Sequence, residues 1–133
     1  MLKRFPVGVL GLMALINLGR GAVHSFAADG GAVSIAGLSL GNQGPTILSL
    51  FATLGLGQMV MGGFQALIVL RRRDLVGLFL GLQLATTVVA MINLYLWRPL
   101  PVTVPGQPFN IALMLLQAAA LAVALRGPAK SPA

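Results

Sequence analysis

TILSLFATLGLGQMVMGGFQALIVL (residues 46–70), RRRD (71–74) and LVGLFLGLQLATTVVAMINLYLW (75–97) follow one another without a break. The two apolar runs, of 25 and 23 residues, contain no charged side chain. A helix rises about 1.5 Å per residue, so either run can cross a hydrocarbon core about 30 Å thick. A helix also satisfies its own backbone hydrogen bonds, which lipid cannot do. The four charges between the runs leave room only for a tight corner at a water interface. The stretch predicts a transmembrane helical hairpin.

Composition extends this reading to the whole chain. Of 133 residues 57% are hydrophobic and only 8% charged, and the mean hydropathy is +0.92. Soluble domains carry about 25% charged residues, so one membrane domain spanning 1–133 is expected. The net charge of +7 does not point to nucleic acid, because the basic residues sit at the ends of apolar runs. The chain has no cysteine, which excludes disulfides and thiolate chemistry.

Outside the hairpin, two more helices are expected. Phe5 to about Ala27 forms the first, with Pro6 in its opening turn and Arg20 either snorkelling or facing the bundle. A cleaved signal peptide ending at Ser25-Phe26-Ala27 competes, although Arg20 and His24 stand where such a segment is usually uncharged. Residues 28–45 form a glycine-rich loop whose middle, Val33 to Leu40, reads as a short extended or interfacial piece. Residues 98–108 carry four prolines and form an extended connection. Phe109 to Leu125 is the fourth helix, and 127–133 a disordered tail. The fold expected is all-α, an integral membrane four-helix bundle of two hairpins.

Lys3, Arg4, Arg71, Arg72, Arg73, Arg126 and Lys130 would then share one side, against Arg20 and Arg98 on the other. That asymmetry predicts both termini in the cytoplasm of a cell with a bacterial-type inner membrane. Tyr95, Trp97 and Phe109 would form an aromatic belt at the far interface. Glycines should let helices approach closely: Gly55, Gly57, Gly62 and Gly63 in the second helix, and Gly77 and Gly81 at GxxxG spacing in the third. Ile16-Asn17-Leu18 before Arg20 parallels Ile92-Asn93-Leu94 before Arg98, which suggests a duplicated hairpin or coincidence.

The chemical inventory is thin: two aspartates, one histidine and no glutamate. A carboxylate dyad within the membrane is excluded, and no multi-histidine cluster could hold a metal. His24 alone could serve as an axial ligand. Asn17, Gln58, Thr87 and Gln117 lie at similar depths counted from their own helix ends; Gln65 shares the face of Gln58, and Asn110 that of Gln117, so these polar faces should turn inward. Helix-to-helix hydrogen bonding is one use for them, and the polar floor of a cavity the other. Candidate ligand-binding residues are therefore Arg20, His24, Asn17, Asp29, Arg98, Gln58 and Gln117, with Asp29 pairing one arginine and leaving the other free. No catalytic residue, metal ligand or cofactor is expected.

Gln58-Met-Val-Met-Gly62-Gly63 and the basic corner Arg71-Arg72-Arg73 resemble the second helix of small DoxX-like bacterial inner-membrane proteins. In that family an acidic residue precedes paired glycines; here Gln58 stands in its place and the spacing differs by one. The resemblance implies a four-helix layout and no residue roles. The function expected is a non-enzymatic accessory subunit, or a binder of a small anionic or lipidic ligand at an extracytoplasmic mouth. A quinone- or pigment-holding accessory of a redox or isomerase system is one alternative, and a small dimeric transporter the other. The expected partners are the lipid bilayer and that ligand, with a homodimer or larger membrane complex as the assembly to test, and no nucleic acid.

Overall fold

The computed structural model describes residues 4–100, 102–103 and 105–126. Four helices make up the described chain: α1 (Phe5–Phe26), α2 (Gly44–Arg71), α3 (Val76–Ile92) and α4 (Gln107–Leu125). One 3-10 turn, Gly41–Gln43, leads into α2 and another, Arg73–Leu75, into α3, which a wide π turn, Asn93–Trp97, prolongs. With those extensions all four are long and apolar enough to cross a membrane. No strand occurs among the described residues. The tail 127–133, expected to be disordered, lies outside them, as do Lys3 and Lys130.

Local chemistry sets the helix ends. Pro6, Pro45 and Pro108 each fall in a first turn, where the missing N–H would have had no intrahelical acceptor. Ala27 leaves α1 in extended geometry, its N–H still bonded to the Val23 carbonyl. At the corner, Arg72 takes φ −136° and ψ 59°, which breaks the helix for one residue before the chain reverses.

The middle of the glycine-rich loop, expected as an extended or interfacial piece, is not extended over residues 33–36. Its backbone folds into successive turns, with Ala32 N–H bonded to the Asp29 carbonyl and Leu38 N–H to the Ala32 carbonyl. Gly30 and Gly31 take φ of +57° and +74°, a region other residues seldom occupy. They let the loop turn inward, so that Ala32 is fully buried.

One end of the bundle is a dry core. Val9 and Leu10 of α1, Ile68 of α2, Val76 and Leu80 of α3 and Ala120 of α4 pack together there. Each lies toward the end that carries Arg4, Arg71–Arg73 and Arg126, so the helices alternate in direction. Below we refer to this as the arginine end and to its opposite as the loop end. Outward faces are apolar instead of polar: Leu15, Leu50, Leu70 and Leu96 are all more than 60% exposed. In water such a surface would aggregate.

The closest helix contact is between α1 and α2. A Cβ on Gly21 would lie 2.6 Å from the Gly55 carbonyl oxygen, and one on Gly62 would lie 2.9 Å from the Ala14 carbonyl oxygen. Ala14 and Gly21, like Gly55 and Gly62, are seven residues apart, so each pair stays on one seam. Gly77 and Gly81 make no such approach. Cβ atoms there would meet Ala124 and Leu121 of α4 at 3.7 and 4.0 Å, which is ordinary packing. The paired Ile-Asn-Leu segments also differ in setting: Asn17 is mid-helix, whereas Asn93 opens the π turn.

Candidate functional site

Midway along the bundle, amide side chains from three helices converge, and a fourth lies beside them. Asn17 Nδ2 of α1 donates to Gln65 Oε1 of α2 at 2.9 Å and to Gln83 Oε1 of α3 at 3.0 Å. Gln65 Nε2 donates to the same Gln83 oxygen at 2.6 Å. Gln65 is fully buried. Gln83 Nε2 reaches the Thr87 hydroxyl at 3.4 Å. That hydroxyl has one proton, and the Gln83 carbonyl takes it at 2.9 Å. Gln117 Oε1 of α4, 3.5 Å from the hydroxyl, is left with a long contact on a side chain only 2% exposed.

The structure therefore brings Asn17 and Gln117 into one polar cluster, but through Gln65 and Gln83. Gln58 stays outside it, with its Oε1 buried and unpartnered. An unmet polar atom of this kind costs about 1–3 kcal/mol. The register explains the exchange. Ser25 Oγ bonds to the Ala52 carbonyl at 3.3 Å, so the end of α1 is level with the third turn of α2. The first two turns of α2 stand beyond it. Depth counted from the end of α2 itself is thus overstated by about 10 Å, the rise over the seven residues that separate Gln58 from Gln65.

Toward the loop end, Arg20 donates from one terminal nitrogen to Asn110 Oδ1 of α4 at 3.1 Å, in an exposed setting. The expected pairing of Asp29 with an arginine is not made. Both Asp29 oxygens accept backbone N–H groups of its own loop, Gly31 at 3.0 Å and Ser34 at 2.7 Å. These bonds, Ser34 first, lower its pKa from 3.8 to about 2. A partner two to five residues away needs almost no chain closure, and it displaces the distant guanidinium. The other aspartate, Asp74, is engaged at the far end by Arg72.

His24 also serves the loop. Its Nδ1 lies 2.6 Å from the Gly30 carbonyl oxygen, and its ring stands edge-on to Phe51 with centroids 5.2 Å apart. Arg98 is exposed beyond the π turn, its backbone N–H bonded to the Asn93 carbonyl. A shallow cavity of about 230 Å³ lies beside that turn, lined by Tyr95, Thr103 and Gln107 among others, with no charged side chain. No three-residue metal-ligating group occurs among the described residues.

No family model, curated protein or solved structure matches this chain.

Sequence reading turned the face of Gln58 and Gln65 inward, as the burial of Gln65 bears out, but it did not single out Gln65 as the hub and it missed Gln83 altogether. Gln83 and Thr87 are one turn apart on an otherwise apolar helix, and that i, i+4 polar pair was the available signal.

Proposed function

We propose that this chain is a non-enzymatic multi-pass protein of a bacterial-type inner membrane, with both termini cytoplasmic, that binds an anionic or lipidic headgroup at its extracytoplasmic mouth. The loop end is that mouth, and Arg20 is the cation that takes the ligand. The reading rests on one observation: the Arg20 guanidinium has a neutral amide oxygen as its hydrogen-bond partner, while both aspartates of the chain are bound elsewhere. A guanidinium without a carboxylate keeps its fork for a carboxylate or phosphate. The amide cluster closes the site from below, and the apolar core at the arginine end seals the remainder.

Arg20→Gln should lose co-purifying anionic lipid or metabolite, read by mass spectrometry of the detergent-extracted protein, with thermal stability kept. Arg20→Lys should restore little of it, because an ammonium is a point charge. Unchanged retention in Arg20→Gln would overturn the reading.

A second reading draws on His24. If Nδ1 carries the proton it donates to Gly30, Nε2 keeps a lone pair, as an axial imidazole requires. Absorbance of the purified protein between about 350 and 800 nm would then reveal a pigment. A transparent preparation removes this alternative.

A further inference from the structure

The arginine end carries five arginines among the described residues, Arg4, Arg71, Arg72, Arg73 and Arg126, against a single aspartate, Asp74. Asp74 is spent on one of them. Arg72 grips it with two parallel bonds, Nε to Oδ1 at 3.1 Å and a terminal nitrogen to Oδ2 at 2.8 Å. That pairing lowers the Asp74 pKa and raises that of Arg72. Neither aspartate is within ion-pair distance of Arg71 or Arg73. Arg73 Nε donates to the Val69 carbonyl at 3.3 Å, which fixes the base of its guanidinium on the last turn of α2. Its two terminal nitrogens make no bond among the described residues, which leaves them for an outside acceptor.

The helix turns next to this corner expose aliphatic side chains: Leu67 and Leu70, in the last turns of α2, are 51% and 73% exposed, and Leu78, in the first turn of α3, is 58% exposed. Two guanidinium groups above a greasy helix face fit an amphiphile with one negative head, and fit a free anion less well.

We propose that Arg71 and Arg73 bind the phosphate of an anionic phospholipid, and that Asp74 limits this site by withholding Arg72. The proposal rests on the membrane reading above but concerns the opposite end of the molecule. Its distinctive consequence lies in Asp74. Removing that carboxylate frees a third guanidinium at the same corner, so binding should tighten.

The test is native mass spectrometry of the full chain, titrated with phosphatidylglycerol or phosphatidylcholine and repeated in the Arg20→Gln background to silence the mouth. Each basic residue at an anionic surface strengthens binding roughly five-fold. The double variant Arg71→Gln with Arg73→Gln should therefore bind phosphatidylglycerol at least ten-fold more weakly, and Asp74→Asn about five-fold more tightly. Phosphatidylcholine binding should not change. Should the double variant misfold, Asp74→Asn alone decides. Equal affinity for the two lipids, or unchanged or weaker phosphatidylglycerol binding by a stably folded Asp74→Asn, overturns the proposal. Full competition by millimolar inorganic phosphate would assign the corner to a soluble anion and overturn the lipid. Release of the chain from membranes by an alkaline carbonate wash would instead sink the membrane reading itself.

Discussion

Gly21 and Gly55 press their backbones together across the α1–α2 seam: a Cβ on Gly55 would lie 2.7 Å from the Gly21 carbonyl oxygen and 2.5 Å from Ser25 Oγ. Backbone and hydroxyl leave no flexible chain end to move aside. Gly55→Ala should therefore destabilise the bundle by about 1–3 kcal/mol, as overpacking does elsewhere. Gly57→Ala, with nothing within 4 Å, should be neutral or slightly stabilising. Melting of the two variants in detergent separates them, and equal midpoints would refute the seam.

The amide cluster predicts a second contrast. Gln83→Leu removes the acceptor shared by Asn17 and Gln65, leaving a buried donor unmet at about 1–3 kcal/mol. Gln58→Leu removes an oxygen that has no partner, so it should cost nothing or stabilise. Denaturation of both variants in the same detergent decides, and a larger loss in Gln58→Leu would contradict the assignment.

Acid should act on the loop through Asp29. Its pKa lies near 2 in the folded chain and at 3.8 as the ordinary value. A depressed carboxylate stabilises fully above the higher value and loses that contribution as pH falls through the lower one. The Gly31 and Ser34 amide resonances should stay constant from pH 7 to about pH 4, then shift with a midpoint near 2. Asp29→Asn should abolish the transition. A midpoint near 4 would mean that the two backbone bonds do not hold in solution.

Retention of α1 is also testable. Cleavage after Ala27 would remove Asn17, Gly21 and Leu10, and with them the partners of Gln65, Gly55 and the dry core. Peptides of α1 should therefore be present in the membrane-extracted protein, and in the proposed topology reporters at either terminus should read as cytoplasmic. A mature N-terminus at Ala28 would establish the signal-peptide reading.

Four helices, the proline start of α1 and the Arg71–Asp74 corner were legible because hydropathy and proline act locally, whereas Pro45 and Pro108, read as parts of the loops 28–45 and 98–108, lie in the first turns of α2 and α4. Features that depend on how two helices slide past each other were not. Counting depth from helix ends chose Gln58 over Gln65, because nothing local reveals that α2 begins two turns beyond the end of α1. Gly55 and Gly62 were legible as close-approach glycines of α2, but GxxxG spacing gave Gly77 and Gly81 the same standing, and the partners Gly21 and Ala14 depend on how the two helices meet. Asp29 was misassigned for the opposite reason. A long-range ion pair was expected where a bond to its own loop is shorter.

Placed in a bilayer as proposed, the lengthwise contrast between amides and dry core has an electrical meaning. A transmembrane voltage falls mainly across the material that polarises least, here the layer of Val9, Leu10, Ile68, Leu80 and Ala120. Carrying one charge through the full drop takes about 2.3 kcal/mol per 100 mV. An anion on Arg20 would lie on the near side of that layer and traverse little of the drop. Its occupancy would follow the composition of the outside medium and stay almost indifferent to whether the membrane is energised.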